Sequence, residues 1–183
     1  MSILGWGIAA VVAGMGVIAI GVRVIAAKHP GPPLDEPLPT TPLQRTARRG
    51  LLFGGLLSLG LVALVLRFGP QRVLEDDPVR IGFTLLLVLI LVVFAWLTLR
   101  VMSWVRREDG TLDERDRAIL DGSQGLRSVA ILMTLVVWMI GLQESFWAQG
   151  AVPIYYLNLV FWSCLVVSLL AFPLGILAGY RRQ

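Results

Sequence analysis

Apolar residues in this chain gather into five runs, at about residues 3–22, 50–66, 81–99, 128–147 and 154–179, parted by stretches rich in charge or proline. A helix rises about 1.5 Å per residue, so roughly 20 residues cross a hydrocarbon layer of about 30 Å. All five runs are near that length, although the second is short and the fourth reaches it only by including Gln143 and Glu144. The pattern predicts an all-α fold, a single polytopic membrane domain over residues 1–183 built as a bundle of five transmembrane helices. The first run lacks a basic leading segment, is longer than a signal-peptide core, and is followed by a poor cleavage site (RVIAA before Lys28). It is therefore expected to be a retained anchor.

The connections differ in character. Residues 28–43 (KHPGPPLDEPLPTTPL) hold six prolines and favour extended, polyproline-like geometry, which suits a semi-rigid strap. Thr41 followed by Pro42 reads as the cap and first turn of a helix running through Arg48 and Arg49 into the second span. Residues 67–80 read as a charged loop, with Glu75, Asp76 and Asp77 in a row. Three consecutive acids lack the spaced oxygen ligands of a calcium loop, so a solvated loop is expected there.

Thr111, Leu112, Asp113 and Glu114 form a capping box opening TLDERDRAILDG. Thr111 would accept from the Glu114 amide and Glu114 would reach back to the cap. With Gly122 as terminator, the expectation is a short amphipathic helix over 111–121. The plainer reading is a self-satisfied surface helix. The sharper one is a docking surface with Leu112, Ile119 and Leu120 as apolar contacts and Asp113, Glu114 and Arg117 around them.

Charge then orients the bundle. Of the 16 basic residues, Arg23, Lys28, Arg45, Arg48 and Arg49 follow the first run. Arg100, Arg106, Arg107, Arg115, Arg117 and Arg127 follow the third, and Arg181 and Arg182 close the chain. Only Arg67, Arg72 and Arg80 fall on the alternate side. The positive-inside rule places the N-terminus outside and the C-terminus in the cytoplasm, which an odd number of spans satisfies. The short 111–121 helix and the proline strap would then be cytoplasmic.

Composition agrees with a membrane protein: 56% hydrophobic residues, 15% charged, and a mean hydropathy of +0.77. The pI near 10.0 suggests nucleic acid at first sight. The basic residues adjoin the ends of apolar runs, however, where topology accounts for them, so no nucleic-acid partner is expected.

The form L-D-E-R-D-R-x-I, present as LDERDRAI at 112–119 and followed by two apolar spans and a closing arginine pair, resembles a group of small bacterial integral membrane proteins without an assigned activity. The resemblance covers about residues 111–182. It implies a multi-pass protein of the bacterial inner (plasma) membrane, and brings with it no reaction, ligand or functional residue.

Small residues mark the faces that can pack. Gly7, Gly14 and Gly21 recur at seven-residue intervals with Ala10 on the same seam, and Gly50, Gly54 and Ser58 form a row in the second span. Ser168, Ala171, Gly175 and Gly179 do so in the fifth. Such rows let helix backbones approach closely, either within the bundle or against another subunit. The third span (TLLLVLILVVF) has no small seam and should face lipid or a large partner, while Pro173 is expected to kink the fifth. Trp6, Trp147, Tyr155 and Tyr156 should lie at the outer boundary and Trp104 and Tyr180 at the inner one, with Trp96 near the inner end of its span. Trp138 and Trp162 should pack between helices.

Little chemistry remains. Gln143, Glu144 and Asn158 form a candidate polar site near the outer boundary: a hydrogen-bonded cluster fixing the last hairpin, a small outward-facing site, or solvated side chains. The one histidine, His29, lies in the proline-rich connection, which excludes haem ligation by paired histidines and a histidine metal site. The one cysteine, Cys164, lies in an apolar run without a partner. No cofactor, metal or catalytic residue is expected, and the chain reads as a non-enzyme. The leading expectation is an accessory or structural subunit of a larger inner-membrane complex, respiratory or photosynthetic, contacting other integral membrane subunits and membrane lipid. Self-association through the same seams is the other packing option. The alternative function is a small oligomeric channel or carrier using the Gln143, Glu144 and Asn158 region.

Overall fold

The computed structural model describes residues 3–28, 41–105 and 113–180. They form five long helices: α1 (Ile3–Lys28), α2 (Pro42–Glu75), α3 (Asp77–Val105), α4 (Glu114–Phe146) and α5 (Ile154–Tyr180), with a 3₁₀ turn over Trp147–Gln149. No strand occurs among the described residues. All five helices are long and apolar enough to cross a membrane, as those of a multi-pass membrane protein must be.

Local chemistry explains most of the boundaries. Thr41 adopts an extended conformation and its hydroxyl accepts from the Gln44 amide at 3.2 Å, with Pro42 opening the first turn of α2. The helix breaks at Gly69 (φ 79°, ψ 159°), a conformation glycine adopts without a Cβ clash, and Pro70 starts a final short helical stretch to Glu75. The charged stretch 67–80, expected to be a loop, is thus helical apart from Gly69 and Asp76. The Asp76 amide donates to the Arg72 carbonyl at 3.0 Å and the Arg80 amide to the Asp76 carbonyl at 2.8 Å, so the backbone turns with little left unpaired. Asp77 sits in the first turn of α3, where a negative charge suits the helix dipole, and pairs with Arg80 at 2.5 Å. Gly150, at φ 65°, and Pro153 make the tight turn into α5.

The expectation of a separate short helix over 111–121 is overturned. Residues 114–146 form one continuous helix, and Gly122 lies within it. An interior glycine costs about 1 kcal/mol of helix propensity. The packing of Ile119, Ser123 and Leu126 on neighbouring helices outweighs that cost, since all three are buried on either side of it. Its cap also differs: Asp113 is the N-cap, its carboxylate accepting from the Asp116 amide at 2.6 Å. Thr111 and Leu112 lie outside the described residues, as do His29 and most of the proline-rich connection, Arg106 and Arg107, Arg181 and Arg182, and the side chains of Trp6 and Trp104.

α5 is the axis of the bundle. Half of its span is buried, against 17% of α1. α1 and α4 pack on one side of it and on each other, while α2 packs on another side and carries α3. Gly7 faces Trp138, Gly14 faces Thr134 and Gly21 faces Leu126, so α1 and α4 run antiparallel. Gly50 faces Leu97 and Gly60 faces Leu86, which makes α2 and α3 antiparallel as well. Successive helices alternate in direction. One end of the bundle gathers Thr41, Asp113 and Tyr180 and is termed the basic end, because the arginine-rich stretches adjoin it. The opposite end carries the Asp76 and Gly150 turns. α5 continues through Pro173 as one α-helix.

Candidate functional site

The small residues singled out by spacing all meet other helices of this chain. Ala10 is fully buried, and a Cβ added to Gly7 would lie 3.1 Å from the Trp138 ring. At Gly14 an added Cβ would collide with the Thr134 hydroxyl, and at Gly21 with Leu126. In α2, Gly50 lies under Leu97 of α3 and Gly54 under Leu169 of α5, with an added Cβ at 3.0 and 2.9 Å respectively. In α5, Ala171 is fully buried, a Cβ added to Gly179 would lie 2.7 Å from the Ile119 side chain, and one added to Gly175 would lie 3.0 Å from the Cα of Ser123. There a side chain would meet the backbone of α4, so the lack of one lets the two helices come close.

Two of the expected docking residues belong to the core. Ile119 is fully buried and Leu120 is 3% exposed, so neither is available on a surface. The reason is the continuity of α4: once the helix runs through Gly122, its first turns share the bundle-facing stripe of the apolar span that follows. Glu114 and Arg117 remain exposed and Asp113 is engaged in capping.

The same continuity builds a polar junction that sequence reading missed. Asp116, on the buried stripe one turn before Ile119 and Leu120, is 8% exposed, and its carboxylate accepts a hydrogen bond from the Tyr180 hydroxyl at the end of α5. Tyr180 is itself buried, so it is an internal tie instead of the interfacial anchor its position suggested. The Thr41 hydroxyl, which caps α2, stands against the same phenol. Three helix ends therefore meet at one buried hydroxyl. Nearby in sequence on α4 and α5, Arg127 lies over the Phe172 ring at 5.5 Å, tying the two helices again. A signal existed: Asp116 lies three residues before Ile119 and four before Leu120, hence on their face.

The expected polar site at the opposite end is not assembled. Gln143 and Glu144 are exposed and Asn158 is half-buried, and no side-chain hydrogen bond joins them among the described residues. Nearby, the Phe146 and Tyr156 rings meet across the turn with centroids 5.3 Å apart and tilted by 51°, an aromatic contact between α4 and α5. Trp147 is 78% exposed.

Two buried hydroxyls of α4 are spent within their own helix. Ser123 donates to the Ile119 carbonyl at 2.6 Å and Thr134 to the Ala130 carbonyl at 2.8 Å. Trp138 is the exception: its indole Nε1 donates across to Ser163 Oγ at 2.8 Å, and that hydroxyl passes its own proton to the Val160 carbonyl. Ser58 Oγ, on α2, is the one buried side-chain polar atom without a partner among the described residues. No group of three or more metal-ligating side chains occurs among the described residues. Among the described residues these contacts tie helices to one another.

Compared with protein-family models, with curated proteins and with solved structures, the chain finds no match.

Proposed function

We propose that this chain is an accessory or structural subunit of a larger membrane assembly, seated in a bacterial inner membrane with its basic end in the cytoplasm, and holding no redox or catalytic centre of its own. The observation that carries this reading is where the buried polar groups go. Ser123 and Thr134 bond along their own helix, and Trp138 with Ser163 and Asp116 with Tyr180 tie two helices together. Orientation follows from the charge asymmetry, which the alternating helix directions carry to one end of the bundle.

The contact surface this reading favours is the outer face of α3. That helix leans chiefly on α2, and Ile81, Leu85, Val88 and Val92 are between 50% and 60% exposed. A branched, tightly ridged face of this kind suits lipid or the flank of another integral subunit. The small-residue seams, by contrast, are already occupied within the chain. Partner contact through them would require the bundle to open.

The alternative of a small oligomeric channel or carrier rests on Gln143, Glu144 and Asn158, whose separation weakens it. Gentle extraction from the native membrane followed by intact-mass measurement separates the two readings. Stable co-purification with larger integral subunits is expected. A lone homo-oligomer that conducts in liposomes, and loses conduction on Glu144→Gln, would overturn the subunit reading.

A further inference from the structure

The positive charge of the basic end is unevenly placed. The stretch from 100 to 127 carries six arginines and six acids, which balance, whereas the stretch from 23 to 49 sets five cations against Asp35 and Glu36 alone. Within the α2–α3 pair the imbalance is complete. α2 holds no acid before Glu75 and α3 none after Asp77, and both of those lie at the opposite end.

The register of α2 on α3 gathers the cations of that pair. Leu97 lies over Gly50, so Arg100 stands level with Ala47, about 3 Å along the axis from both Arg45 and Arg49. Arg49 comes one residue before Gly50, and Arg100 three residues after Leu97. In an antiparallel pair of right-handed helices, those offsets turn both side chains to the same side of the contact. Arg45, one turn before Arg49, shares that face, and all three arginines are exposed. α5 meets a different side of α2, where Gly54 lies against Leu169. The described acids of this end, Asp113, Glu114, Asp116 and Asp121, belong to α4, which packs on α1 and α5.

Toward the middle of the bundle the same face turns apolar. Phe53 and Leu56 follow Arg49 by four and seven residues, Trp96 precedes Arg100 by four, and all three are exposed. Cations therefore stand at the end of a strip of exposed hydrocarbon on helices long enough to cross a membrane. A dissolved anion would use only the arginines. A phospholipid uses both parts, with its phosphate at the boundary and its chains beneath. Guanidinium groups bind phosphate oxygens through paired hydrogen bonds, and a basic cluster at a membrane surface attracts anionic lipid. A zwitterionic headgroup would bring its own cation into that cluster, which like-charge repulsion disfavours. We propose that this face of the α2–α3 pair binds one anionic phospholipid, its phosphate held by Arg49 and Arg100 beside Arg45 and its chains lying on Phe53, Leu56 and Trp96.

The test uses the full chain in a neutral detergent, with native mass spectrometry counting the lipids retained. Phosphatidylglycerol and phosphatidylcholine of identical acyl chains are titrated separately. The first phosphatidylglycerol should bind with half-saturation at a concentration about tenfold below that of phosphatidylcholine, the equivalent of about 1.4 kcal/mol. Arg49→Gln/Arg100→Gln should abolish that preference. Arg23→Gln/Arg117→Gln, which removes the same charge from the same end, should leave it intact. Equal retention of the two lipids by the wild-type chain would overturn the proposal without any variant having to fold. An equal loss of preference in the Arg23/Arg117 variant would overturn it as well, because the whole end and not this face would then select the lipid. So would displacement by glycerophosphoglycerol, the headgroup without chains, at the concentration where the lipid itself competes.

Discussion

The two ends of the bundle are closed by different means, and α5 shows why. Its basic half reads Ser168, Ala171, Gly175, Ala178 and Gly179, and there α4 packs so close that a Cβ added to Gly175 would meet Ser123, while Tyr180 ties α5 to Asp116. Its other half reads Tyr155, Tyr156, Phe161 and Trp162, and there the helices stand apart around a cleft. Residue size along one helix sets both spacings. Where side chains are small, close van der Waals packing holds the helices, and a buried polar pair is protected enough to matter. Bulky aromatic groups instead prop the neighbours open. Polar residues there, such as Gln143 and Glu144, turn outward.

The largest way to break this contrast is to enlarge the small end. Gly175→Leu should destabilise the protein by about 3 kcal/mol, the upper part of the range for overpacking, because the added Cβ meets the Ser123 backbone and helices must separate. Gly125→Leu, on the same helix as Ser123 and with nothing within 4 Å, should cause no loss. Denaturant titration in mixed micelles compares them. A Gly14→Leu substitution, which the sequence alone would offer as a test of partner binding, should likewise disrupt this chain's own packing on Thr134 and Val167.

Next in size is the polar tie. Tyr180→Phe leaves the buried Asp116 carboxylate without its phenol donor, and should lower unfolding free energy by about 2 kcal/mol in the same titration. At the open end, Ser163→Ala removes the acceptor of Trp138 Nε1 and should cost only about 0.6 kcal/mol, typical of interhelical hydrogen bonds in membranes. A shift in the Trp138 fluorescence, isolated by replacing the other five tryptophans with phenylalanine, would show that the bond was lost. A reversal of these two magnitudes would mean that the open end carries the polar stability.

Ser58→Ala has the smallest expected effect and the opposite sign. It replaces an unpartnered buried hydroxyl by a methyl group and should stabilise by about 0.5 kcal/mol. Gln143→Ala and Glu144→Ala should each stay within about 0.5 kcal/mol, since both side chains are exposed.

Much of this was legible in particular residues. The five apolar runs announce five helices because crossing hydrocarbon demands that length whatever the neighbours are. Thr41 and Pro42 announce the start of α2, because a cap is a property of adjacent residues. The candidate site was far less legible. Gly122 looked like a terminator because a local pattern cannot weigh the burial of Ile119 and Ser123 on α5. Asp116 and Tyr180 are 64 residues apart, and nothing local pairs them.

By itself the sequence determined the number of long apolar helices, the basic clustering at alternate connections and the small faces able to pack. These follow from transfer of side chains into lipid and from helical period, which act residue by residue. Only the tertiary structure decided which small residue meets which neighbour, that Ile119, Leu120, Asp116 and Tyr180 are interior, and that α1 and α2 leave a cleft over Trp162. Those depend on where helices distant in sequence come to rest, and close packing is a property of the pair.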